Sequence, residues 1–79
     1  MNIDKVLEEL KDLGPEATSI AVTMEEVLHN NKEGKITKDE AEYLLNELKD
    51  AKIAYGLAND EIATRLAVQA CNFIMSVLL

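Results

Sequence analysis

Apolar residues recur along this chain at three- and four-residue steps in four stretches, with no competing one-by-one alternation, so the pattern predicts helices and no strands. In the first stretch Ile3, Val6, Leu7, Leu10 and Leu13 form one helical face, closed by Gly14-Pro15. Glycine supplies a left-handed stop there, and proline fits the first turn of the helix that follows. The second stretch sets Ala17, Ile20, Ala21, Met24, Val27 and Leu28 on one stripe, opposite Glu16, Thr23, Glu25 and Glu26. It predicts an amphipathic helix to about His29, with Asn30-Asn31 and Gly34 marking its end. Thr37-Lys38-Asp39-Glu40 reads as a capping box in which Thr37 caps and Glu40 reaches back. From Lys38 to Tyr55 the expected core stripe is Ala41, Leu44, Leu45, Leu48, Ala51 and Tyr55, ended by Gly56. Asn59 is then expected to cap the fourth helix, with Asp60 and Glu61 in its first turn, where the helix dipole favours negative charge.

The fourth stretch differs in kind. Of the 18 residues from Ile62 to Leu79, 13 are apolar, and Glu61, Arg65, Gln69, Asn72 and Ser76 make one narrow polar stripe. A helix apolar on most of its circumference is central in a core or shared between subunits. The expected fold is therefore all-α: one domain over residues 1–79, a small bundle of about four helices. Helices two and three form a hairpin, the apolar C-terminal helix packs along it, and the first helix closes an end or reaches a neighbouring subunit.

Length changes this picture, because 79 residues bury a smaller share of their surface than a larger domain does. With so few neighbours for the last helix, a homo-oligomer is expected, its interface formed by Leu66, Ala70, Phe73, Ile74, Val77 and Leu78. Cys71 is the only cysteine, so no internal disulfide forms and a reducing, cytoplasmic setting is expected. The net charge of −7 disfavours direct contact with nucleic acid or anionic bilayers and leaves open a basic protein partner. The most apolar run, Leu66 to Leu79, is shorter than the roughly 20 residues of a spanning helix, and with Asp4, Glu8 and Glu9 close behind Met1 no signal peptide is expected.

Little of the sequence carries chemistry. The run from His29 to Glu40 resembles a degenerate EF-hand calcium loop, with Gly34, Ile36 and Glu40 at the turn, apolar and bidentate positions and Asn31 and Glu33 able to offer oxygen. His29 stands where the first carboxylate belongs, and Lys32, Lys35 and Lys38 oppose a divalent cation, so no useful calcium affinity is expected. A helix end followed by a helix start accounts for the same residues. His29 is the only histidine and is expected near solvent at a helix C-terminus; Cys71 is expected on the apolar side as a small hydrophobe. No glycine-rich phosphate loop occurs, and no catalytic residue, metal site or cofactor is expected.

Tyr55 and Phe73 read as core or interface residues, whereas Tyr43 and Val22 fall off their stripes and are candidates for an exposed contact surface. The expected function is non-enzymatic: a small acidic helical protein that self-associates and binds another protein, as small inhibitors, immunity-type proteins and phage accessory proteins do. One alternative is a small-ligand binder whose subunits enclose Tyr55, Arg65, Gln69 and Asn72. The other is a structural component of a larger assembly.

Overall fold

The computed structural model describes residues 2–57 and 59–79. Asn2 opens α1 (Ile3–Lys11) by accepting the Lys5 N–H on its side chain. The chain then turns at Gly14, whose φ of 108° suits glycine alone, and Pro15 begins α2 (Pro15–Lys32). One turn into α2, Thr18 shares its hydroxyl proton between the main-chain oxygens of Gly14 (2.8 Å) and Lys11 (2.9 Å), which ties the two helices together.

α2 continues past His29 to Lys32. The two asparagines do not break it, because Asn31 lies on the core stripe beyond Met24 and Val27 and turns its side chain inward, 3% exposed. The stop comes at Gly34, φ 77°, where the Gly34 N–H bonds the Asn31 oxygen and the Lys35 N–H bonds the Asn30 oxygen. This is a Schellman ending. Thr37 and Glu40 then form the full capping box, at 3.1 Å each way, that opens α3 (Lys38–Glu47).

α3 runs without a break into a π-helical segment (Leu48–Ile53) and a last turn (Ala54–Gly56). At the end of the segment the Ala54 N–H reaches back five residues to the Lys49 oxygen. The wider turn changes the register of the buried face, which reads Ala41, Leu45, Leu48 and then Ile53 and Leu57. This corrects the expected stripe. Ala51 and Tyr55 lie outside the core, Tyr55 at 83% exposure, and Leu44 is 40% exposed. A helix of constant 3.6-residue period would have carried Ala51 and Tyr55 inward; one extra residue in the turn brings in Ile53 instead, whereas Leu44, ahead of that turn, lies at the edge of the face set by Ala41, Leu45 and Leu48.

α4 (Glu61–Ser76) is capped by Asp60 rather than Asn59, the Asp60 carboxylate accepting the Ala63 N–H at 3.0 Å. Thr64 repeats the device of Thr18, its hydroxyl shared between the oxygens of Leu57 and Asp60. α4 lies against α2, α3 and the π-helical segment, and α1 packs on α2 and α4 within the same chain. The core holds Leu10 from α1, Ile20 and Met24 from α2, Leu45 and Ile53 from the third rod (α3 with the π-helical segment and last turn, residues 38–56), and Ala67, Cys71 and Ile74 from α4. The radius of gyration, 11.5 Å, matches the roughly 11.6 Å expected for a compact chain of this length.

Candidate functional site

The displaced apolar stripe has a destination. Leu44, Leu48 and Ala51 form one wall of a groove whose other wall is α2, and no residue of α1 or α4 lines it. It consists of two adjoining depressions, of about 420 and 440 Å³, that share Ala51 and Lys52. The first is lined by Pro15, Glu16, Ser19, Ile20 and Gly56. The second is lined by Thr23, Glu26, Val27, Asn30, Ile36, Leu44, Glu47 and Leu48. Ile20, Val27 and Leu48 are the outer edges of core side chains, so the floor is apolar and firmly held. Along α2 the wall residues Glu16, Ser19, Thr23, Glu26 and Asn30 recur at three- and four-residue steps, a polar ridge over that floor.

At one end, Leu44 also borders a shallow depression formed with Asp39, Glu40 and Tyr43. There the Tyr43 hydroxyl donates to Glu47 Oε1 at 3.1 Å, and the adjacent carboxylate holds the phenol above its ordinary pKa. Tyr43, 62% exposed, and Val22, 40% exposed, are both at the surface as expected. Tyr43 borders the depression past the end of the groove, not the groove itself, and Val22 lies with Asp4, Glu25 and His29 on the α1 side of α2.

The residues expected at a subunit interface separate into two groups. Ala70, Ile74 and Leu78 are buried against helices of the same chain, whereas Leu66 and Phe73 are half-buried and Val77 is 37% exposed. Ala70, Ile74 and Leu78 thus find apolar neighbours within one chain, whose accessible surface, 4837 Å², is close to the roughly 4800 Å² expected for a folded chain of this mass.

Arg65, Gln69 and Asn72 all lie on the exposed stripe of α4, and Tyr55 lies on the third rod. They do not enclose a cavity within one chain. Arg65 pairs with Glu61 at 3.6 Å, and Asn72 accepts the Lys49 ammonium at 3.3 Å, a link from α4 to the π-helical segment that periodicity does not reveal.

The groups with chemical potential stand apart. Cys71 is buried with its thiol directed at the Leu45 oxygen, 3.7 Å away, and burial pushes its pKa up to about 11 against a smaller downward pull from Lys49. That environment favours the inert thiol. His29 is exposed on α2 and lies 3.3 Å from the Glu33 carboxylate. In the run that resembles an EF-hand loop, the Glu40 carboxylate is engaged by the Thr37 N–H, and Glu33 also pairs with Lys35 at 3.0 Å. Among the described residues no three His, Cys, Asp or Glu side chains gather as metal ligands, and no helix is long and apolar enough to cross a membrane.

Sequence reasoning placed Leu44 and Ala51 in the core and so missed the groove. The available signal was the pair Ile53 and Leu57, which repeats the four-residue step of Ala41 and Leu45 out of phase with it. No protein-family model, curated protein sequence or solved structure matches the chain.

Proposed function

We propose that this chain is a non-enzymatic protein-binding module whose contact surface is the groove between α2 and α3, the role of a small inhibitor or adaptor. The observation that supports this most is the second apolar stripe of the third rod. Leu44 and Ala51 are kept outside a core that is complete without them, and with Leu48 they line the groove. Apolar side chains along a groove with polar edges are the usual anatomy of a protein contact. The π-helical segment adds to this, since such turns inside α-helices are frequent at functional sites. The burial of Cys71, its thiol directed at the Leu45 oxygen, favours binding over catalysis.

Site-specific photocrosslinking tests the reading. With benzoylphenylalanine at Ala51, the full chain expressed in its native cells should give a discrete adduct with another protein, suppressed by Leu44→Asp. The same label at Gln69, on the exposed stripe of α4, should give none. Adducts at Gln69 that Leu44→Asp leaves untouched would move the contact surface to α4 and overturn the assignment.

A further inference from the structure

We propose that the occupant of this groove is a cationic amphipathic helix of another protein, about four turns long, laid lengthwise between α2 and α3. This rests on reading the groove as the contact surface and adds what fills it. Two helices side by side leave a trench that a third helix fills by setting its ridges into their grooves. α4 already does so against the same two helices, with no part in lining this trench. From Glu16 to Asn30 the α2 wall is about 21 Å long at the α-helical rise, the length of roughly 14 residues of an incoming helix. Its apolar side would meet Ile20, Val27, Leu48 and Ala51.

Charge identifies the helix as basic. Glu16, Glu26 and Glu47 line the trench, and Asp39 and Glu40 border its continuation past Leu44. None of these five carboxylates has an ion-pair partner among the described residues. The chain's close pairs, Lys11–Glu25, His29–Glu33, Lys35–Glu33 and Arg65–Glu61, lie elsewhere. Among the described residues, Lys52 is the one cation that lines the trench. A second copy of this chain, itself at net charge −7, would set one acidic rim against another. A helix with lysine or arginine on both flanks of an apolar stripe instead meets opposite charge along its length, which speeds encounter and makes binding salt-sensitive.

The probe is a fluorescently labelled 14-residue amphipathic peptide with a leucine face and lysine flanks, compared with a twin that carries glutamate for lysine. By anisotropy, the lysine peptide should bind the full chain at least tenfold more tightly than its twin. Leu44→Asp should weaken it at least tenfold despite adding an attractive charge, and so should the double variant Glu26→Lys, Glu47→Lys. A double variant with the same charge change on exposed α1 positions, Glu8→Lys, Glu9→Lys, should weaken it less than threefold. Amide shifts of the labelled chain should concentrate at Ser19, Thr23, Leu44 and Ala51. Circular dichroism verifies that each variant stays folded. Equal weakening by the α1 variant, or shifts centred on α4, would reduce the effect to unspecific acid–base attraction and overturn the inference. Equal or absent binding of both peptides, with the Ala51 photoadduct still formed, would remove the cationic helix and leave the contact surface standing. A doubled mass by light scattering that Leu44→Asp abolishes would replace the occupant with a second copy.

Discussion

The side-chain amide of Asn31 pairs in both directions with the main chain of Leu79: Nδ2 donates to the Leu79 oxygen at 3.0 Å, and the Leu79 N–H donates to Oδ1 at 2.9 Å. Nδ2 also approaches the Ile36 oxygen at 3.4 Å, so one buried amide joins the end of α2, the loop that follows it and the residues beyond α4. Removing it leaves main-chain groups that water reaches only in part. Asn31→Leu is expected to lower stability by about 1–2 kcal/mol. Asn31→Asp should lower it further, because it sets a carboxylate against two main-chain oxygens. Denaturant titration gives the loss, and faster amide exchange at Leu79 would localise it; unchanged exchange there would show the pairing to be energetically idle.

Helix α4 owes its burial to its own chain, and substitutions along it should separate accordingly. Ile74 is fully buried, so Ile74→Asp places a charge in the core and should unfold the chain. Ile74→Ala should cost about 2–5 kcal/mol. Ile62→Asp and Val77→Asp, at 69% and 37% exposure, should leave the melting temperature nearly unchanged. Thermal melts read by circular dichroism decide this, and a folded Ile74→Asp chain would contradict the packing of α4.

The π-helical segment makes an unusual forecast about deletion. Leu48 and Ile53 are both buried five positions apart, so removing the exposed Asp50 restores an α-helical spacing of four and keeps both on the core face. Deleting Glu26 from α2 instead turns Val27 and Asn31 away from Met24. The Asp50 deletion is expected to stay helical and within about 0.5 kcal/mol of the parent, the span of ordinary surface changes. The Glu26 deletion should unfold the chain. Equal damage from the two would argue against a π-helical turn.

Burial raises the Cys71 thiol from its ordinary 9.0 to about 11, which links it to alkaline stability. The fold favours the neutral thiol, so this contribution is fully present below about pH 9 and is lost as the pH climbs toward 11. Cys71→Ala should therefore show a smaller drop in melting temperature between about pH 8 and pH 10.5 than the parent, with the lysines and tyrosines common to both. In the native state at neutral pH the thiol should resist alkylating reagents and react only on unfolding. Rapid alkylation of the folded chain would place Cys71 at the surface.

Most of the helical frame was legible because local chemistry dictates it. Gly14-Pro15 and Thr37 with Glu40 act at their own termini, and the stripes of α1 and α2 follow a constant period. Asn31 was legible only in part: its place on the stripe after Met24 and Val27 is a burial signal, but an asparagine near a helix end has the same chemistry as a terminator. The groove was signalled only by Ile53 and Leu57, out of phase with Ala41 and Leu45. It depends on a register change inside the third rod and on which side of the hairpin α4 occupies, and neither is a local property of the residues that line it.

The register of the third rod is the claim on which the groove depends, and methyl relaxation by a soluble gadolinium chelate reads it directly on the labelled native chain. The methyl groups of Leu44 and Ala51 should relax strongly, while those of Ile53 and Ile74 should be nearly unaffected, in line with their exposures of 1% and 0%. Strong relaxation at Ile53 together with protection of Ala51 would show the rod to be a continuous α-helix with its apolar stripe in the core, and would contradict the account.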